Sequence, residues 1–265
     1  MTENGRIFID DLEGAPLSPR ALESGPIRPG ADERDEWLRR RNMSAEPVAF
    51  EDEDPYSNKY VRTDVDETWG TILHYWFGYA TERPQAMQDR MTLWFGGGFQ
   101  LDRIIAYRFT DVVAKLASGE AYRWAATGAQ QRLAAVIALD QFSRNIFRGA
   151  PGAFENDPIA LRLCKDAMAN GDDMKLKPVE RWFLYMPLEH SESATDQRRS
   201  VEKFSQLLAE ATPEMKAHFE SAYDFAKRHA TVIKKFGRFP HRNEILGRTS
   251  TSAEKAFIKK TPMGF

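Results

Sequence analysis

The sequence predicts an all-α fold, a stack of antiparallel helical hairpins behind an irregular N-terminal extension. Three observations carry that expectation. Apolar residues recur at i, i+3 and i+4 over most of the chain after residue 64. The alternation expected of strands is nearly absent. The connections between the helical stretches are short, which favours antiparallel neighbours.

Taken in order, residues 1–62 are rich in Pro, Gly, Asp and Glu and poor in large apolar side chains (EGAPLSPRALESGPIRPGADERDE, then EDEDPYSNKY). Such a stretch buries too little to offset its ordering entropy, so it reads as an extension, docked at most through Trp37 or Ile7-Phe8-Ile9. Residues 63–265 read as the helical domain. DVDETWGTILHYWFGY opens it, with acids in the first turn and Val65, Thr68 or Trp69, Ile72, Leu73 and Trp76 on one stripe. QLDRIIAYRFTDVVAKLASG repeats the pattern and ends in glycine. GAQQRLAAVIALDQFSRNIF is the third helix. DPIALRLCKDAMANG is the fourth, with Asp157 as N-cap, Pro158 at N1 and Gly171 as its stop. KPVERWFLYMPLEH is the fifth, broken by Pro187; DQRRSVEKFSQLLAEA is the sixth. TPEMKAHFESAYDFAKRHATVIKKFG runs from Thr212-Pro213 to Gly237, and TSAEKAFIKK closes with Thr251 and Glu254 in capping-box spacing. Trp94-Phe95-Gly96-Gly97-Gly98 lacks the Lys-Ser/Thr ending of a phosphate loop and reads as a flexible turn.

Composition excludes several function classes. The 265 residues suit one large domain or two small ones, and the 42% hydrophobic content is that of a globular protein. A net charge of −2 argues against a nucleic-acid binder, so any positive field must be local. Cys164 is the single cysteine, which rules out an internal disulfide, and no Cys/His zinc spacing occurs. There is no leader-type segment and no apolar run near 18 residues, so the expectation is a cytoplasmic protein without a membrane partner.

Three segments concentrate the polar chemistry. In LAAVIALDQFSRN the helix is apolar on every face, so Asp140 and Arg144, four residues apart, should sit inside or at a cleft wall, with the amides of Gln141 and Asn145 beside them. They serve either as a buried ion pair tying helices together or as ligand contacts. In PLEHSESATDQ, Glu189, His190, Ser191 and Glu192 crowd together after a proline. A carboxylate beside an imidazole suits an acid/base pair, with Glu192 or Glu189 orienting His190; the spacing is wrong for helical metal ligands, and no metal is expected. The plainer reading is a polar helix junction. In FGRFPHRNEILGR, Arg238, Arg242 and Arg248 lie on a loop stiffened by Pro240 and supported by phenylalanines, with His241 and Asn243 between them. Planar guanidinium forks so held suit a carboxylate or phosphate group. They equally suit pairing with Asp140, Glu189, Glu192 or Glu254 to staple the C-terminus.

Together HYWFG (74–78), ALDQFSRNIFRGAPGAFENDPIAL (138–161), FLYMPLEHSESATDQRRSV (183–201) and FGRFPHRNEILGRTSTSAEKAF (236–257) resemble the signature blocks of the DUF924 family, bacterial-type proteins of unknown function. The resemblance spans residues 66–260 and implies a tetratricopeptide-like helical array, with no reaction to transfer. Ser143 stands where members of the family usually have Pro, and the glycine triplet and the first 60 residues are unlike the common pattern.

From these residues the expected function is a buried Arg/His/Glu-lined pocket for a small anionic or amphipathic metabolite. Arg238, Arg242 and Arg144 would hold the anion, and His190 or His241 would transfer protons with Glu192 or Glu189. Gln141, Asn145 and Asn243 would supply neutral hydrogen bonds, with Asp140, Ser191 and Arg248 completing the lining. Enzymatic turnover and simple binding both stand, and the residues name no cofactor. A helical scaffold docking a peptide or protein through an Arg/Asn-lined groove is the alternative. An exposed Trp37 or 94–99 turn would mark a contact between two copies, so a homodimer also stands among the readings.

Overall fold

A computed structural model describes residues 68–261, and among these every regular element is helical. The expected extension over residues 1–62, with Trp37 and Ile7-Phe8-Ile9, lies outside the described residues. Helix α1 (Trp69–Phe77) starts at Thr68, whose hydroxyl and that of Thr71 cap each other's backbone N–H groups. Then follow α2 (Met87–Met91), α3 (Phe99–Lys115), α4 (Ala121–Thr127), α5 (Ala129–Ile137), α6 (Ser143–Ile146) and α7 (Gly152–Glu155). The chain continues through α8 (Asp157–Asn170), α9 (Pro178–Glu189), α10 (Ala194–Ala209), α11 (Pro213–Phe236) and α12 (Ser252–Lys260). Among the described residues no helix is long and apolar enough to cross a membrane.

Helix α5 is the axis of the molecule, because residues 132–137 are all buried. A helix apolar on every face must be surrounded, and α1, α4, α8 and α9 pack around it. The three-residue and four-residue connections at 210–212 and 190–193 fold α9, α10 and α11 into successive hairpins. Gly171 (φ 77°) and Gly237 (φ 71°) end α8 and α11 in the left-handed region, where a side chain would be strained.

Local structure departs from the sequence expectation in three places. Asp157 is not the N-cap of α8: Asn156 occupies that position and Asp157 is the first helical residue, so its carboxylate is free for partners elsewhere. Pro187 does not stop α9, which runs on to Glu189. It falls in the last turn, where only one backbone bond is lost, and His190 N–H still reaches Met186 O at 3.0 Å. Thirdly, Trp94-Phe95 is not a loose turn. Residues Thr92–Gly96 form a π turn that buries Leu93, Trp94 and Phe95, and Trp94 Nε1 donates to Trp76 O at 2.9 Å.

These rings extend an aromatic core across the molecule. Phe142 stacks on Phe109 at 4.4 Å, Trp76 meets Phe142 edge-on at 5.6 Å, and Trp94 packs on Phe183 at 4.8 Å. Each such buried ring contributes about 1.5–3 kcal/mol by transfer from water, so this layer dominates the stability of the helical stack. Its outer edge, where Phe95 stacks on Trp182 at 5.5 Å, forms one wall of the cavity described next.

Candidate functional site

The site is built on a second π turn, Ala138–Phe142, which joins α5 to α6 inside one continuous helical run. Single π turns are often found at functional sites. This one carries Asp140, whose side chain has no exposed surface. A buried carboxylate must be compensated, and three side chains do so. Gln141 Nε2 donates to Oδ2. Arg144 Nη1 donates to the Asp140 carbonyl at 2.7 Å and to Oδ1 at 3.2 Å. His190 Nδ1 lies 2.7 Å from Oδ1. Burial pushes the Asp140 carboxyl up, but Arg144, His190 and the hydrogen bonds outweigh it and hold the group at about 2.

Since that carboxylate is ionised and can only accept, Nδ1 of His190 carries the proton and Nε2 is the unprotonated nitrogen. Burial, and then the Arg144 charge, lower the His190 pKa below its ordinary value, so the ring is neutral at pH 7. His190 lines a cavity that opens to solvent between the 92–96 turn, α9 and α11. Phe95, Trp182, Met186 and Phe225 form its apolar side, and Glu189, His190 and His229 its polar end. His229 Nδ1 donates to Phe225 O at 2.9 Å and lies 3.2 Å from Glu189 Oε1. Burial, then the Asp140 charge, push the Glu189 carboxyl up to about 8, and burial drops His229 to about 3. At neutral pH all three groups at the polar end are uncharged.

The arginines behave differently. Arg144 forms a fork on Asp157, with Nη1 and Nη2 at 2.9 and 3.1 Å. Arg242 Nη1 reaches the same carboxylate at 3.2 Å, while its Nη2 donates to His190 O at 3.0 Å. Both guanidiniums lie over Phe154, Arg242 at 4.5 Å and Arg144 at 5.7 Å. Burial, and then the neighbouring Arg144 charge, bring Arg242 down to about 10, still cationic at pH 7. One aspartate thus bridges the π-turn helix and the 236–248 loop. The loop is stapled at two further points. Glu192 accepts both nitrogens of Arg248, at 2.8 and 3.0 Å, and the Phe239 N–H at 2.7 Å. Arg238 forks onto Glu254 at 2.7 and 2.9 Å, next to the Thr251–Glu254 cap of α12.

Of the residues singled out in the sequence, Asp140, Gln141, Arg144, His190 and Arg242 meet in one buried network, and Glu189 joins His190 at the cavity. His241 lies beside Phe239, its ring 5.7 Å away, and is not among the cavity residues; burial and the Arg242 charge lower its pKa to about 3. The others take separate partners. Asn145 Nδ2 donates to Asp102 at 2.9 Å, Ser191 Oγ to Asp196 at 2.9 Å, and Asn243 Nδ2 to Ser250 at 3.0 Å. Glu192 orients no imidazole, because Arg248 and Phe239 occupy both of its oxygens. Sequence reasoning missed His229, Asp157 and the cavity role of Phe95. For His229 a signal existed: it lies four residues after Phe225 and seven after Ala222, on the inward stripe of α11. Among the described residues no group of three or more His, Cys, Asp or Glu side chains is placed to hold a metal ion.

Fold and site together define an all-α protein with a buried Asp–His pair at the polar end of an aromatic cavity. The family model described as bacterial protein of unknown function (DUF924) matches residues 72–262, and the chain belongs to that family. It is similar to a solved protein of unknown function from Agrobacterium tumefaciens, with 29% identity and a TM-score of 0.61 over 72% of this chain and 97% of that one. No curated protein matches.

Two outcomes follow from this geometry. Asp157→Asn leaves two largely buried guanidiniums short of their shared charge and should cost about 3 kcal/mol of unfolding free energy in urea titrations. Glu189→Gln should change the pH dependence of stability. The carboxyl ionises near 4.5 in the unfolded chain but at about 8 when folded. Between those values the folded state keeps a proton that the unfolded state has lost, so this group's contribution falls as pH rises, by at most about 1.4 kcal/mol per unit. The variant should therefore gain stability relative to the parent from about pH 5 to about pH 8 and hold level above, read by urea unfolding across that range.

Proposed function

We propose that the chain binds a small amphipathic molecule in the cavity between α9 and α11, and that His190 is the group that exchanges a proton with it. The observation that carries this reading is the 2.7 Å contact from Asp140 to His190 Nδ1, on a ring that also lines the cavity. A carboxylate behind an imidazole fixes its tautomer and raises the basicity of the far nitrogen, as in many acid/base sites. The apolar side accounts for an amphipathic rather than a purely ionic ligand, because Phe95, Trp182, Met186 and Phe225 make up most of the lining. Anion capture by the arginines has less support. Arg144, Arg238, Arg242 and Arg248 each already hold a carboxylate. The same pairing weakens the peptide-clamp alternative.

The test is a thermal-shift screen of a metabolite set against the parent chain, His190→Gln and Arg238→Met. A bound ligand at a hundred times its Kd adds about 2.7 kcal/mol. A hit whose shift shrinks in His190→Gln but persists in Arg238→Met, which lies on the Glu254 staple, supports the reading. No hit with the parent, or equal shifts in all three proteins, would falsify it.

A further inference from the structure

Resting on the cavity reading above, we infer that the cavity selects an uncharged ligand whose head pairs one hydrogen-bond donor with one acceptor, such as a carboxamide on a single aromatic ring. The polar end leaves few atoms to a guest. His190 Nδ1 is committed to Asp140 at 2.7 Å, so the ring offers the lone pair on Nε2, and the ligand must bring an N–H or O–H to it. Glu189 is the preceding residue, in the last turn of α9, and lines the same cavity. Its carboxyl lies 3.2 Å from His229 Nδ1, and that nitrogen already donates to Phe225 O at 2.9 Å. No guanidinium or ammonium group bonds the Glu189 carboxyl among the described residues, and it is 6% exposed. A carboxyl so buried keeps its proton, consistent with the upward push from burial and from the Asp140 charge. It therefore presents an O–H to an acceptor on the ligand.

The end of α9 is held for this task by a residue absent from every sequence expectation. Gln197 Nε2 donates to the carbonyls of Glu189 at 2.6 Å and Ser191 at 2.7 Å, which fixes the turn that aims Glu189 and His190. A charged head fits poorly. An anion finds no cation in the lining: Arg144 and Arg242 are bound to Asp157 behind His190, and Arg228, which lies over the Phe225 ring at 4.1 Å, is exposed, and none of the three is a cavity residue. A cation would have to strip the Glu189 proton from a dry site. A site built from fixed hydrogen-bonding groups rejects a head that leaves them unpaired.

The experiment compares benzamide, benzoate and benzylamine, which share one ring and differ in the charge of the head, by calorimetric titration at neutral pH. The side-chain ¹⁵N signals of His190 report the place of binding. The expected result is that benzamide binds at least about tenfold tighter than either ion, perturbs His190, and loses that margin in Glu189→Leu. Should Glu189→Leu fail to fold, Gln197→Leu serves instead, and is expected to lower benzamide affinity while Arg238→Met leaves it unchanged. Tighter binding of benzoate or benzylamine with the same His190 perturbation overturns this inference and leaves the cavity reading standing. If none of the three binds, the charge of the hits in the metabolite screen decides: neutral donor–acceptor hits support the inference, charged hits overturn it, and an absence of hits overturns the cavity reading along with it.

Discussion

Everything in the site follows from one costly placement: a carboxylate, Asp140, with no exposed surface. Removing such a group from water costs several kcal/mol, and the fold meets that cost with three donors from two parts of the chain. Two of them, Gln141 and Arg144, come from the same helical run, and the third is His190, fifty residues on. Arg144 in turn needs a second anion, since it also packs against another cation. Asp157 serves both Arg144 and Arg242, and Arg242 closes the circuit on the carbonyl of His190. The π turn, the start of α8, the end of α9 and the 236–248 loop are therefore held in one register by a single chain of contacts.

That chain separates two jobs which similar residue types might share. The arginines with their carboxylates are structural ties, each guanidinium paired with an acid. The cavity next to them is kept electrically quiet: Glu189 with its proton, His190 and His229 without charge. Asp140 acts on the cavity in two ways: its charge helps to keep the proton on Glu189, and its bond to Nδ1 orients the His190 imidazole. An arrangement of this kind suits proton exchange with a neutral molecule better than the capture of an ion.

What was legible in the sequence was local. The 3.6-residue period, the Thr251–Glu254 cap and the glycine stops at 171 and 237 depend on neighbours within a turn, and they identify the all-α class directly. Pro187 and Trp94-Phe95 misled because tertiary context overrides a local rule: a proline near a helix end loses little, and two aromatics beside glycines pack into a core that already contains Trp76 and Phe183. At the site, the residue types were visible but their pairing was not. Spacing suggested Glu189 or Glu192 behind His190, whereas the carboxylate bonded to the ring is Asp140, on another helix. Asp157 read as a cap because Asp-Pro commonly is one, and only the approach of the 236–248 loop reveals its second partner. His229, unmarked by any motif, is distinguished only by what α11 faces.

The tautomer of His190 is the point on which the account turns, and side-chain ¹⁵N NMR of the histidine-labelled chain measures it directly. The account predicts a neutral ring near pH 7 with the proton on Nδ1, in slow exchange and shifted by its carboxylate partner, and an unprotonated Nε2. A proton resident on Nε2, or a doubly protonated ring at that pH, would contradict it.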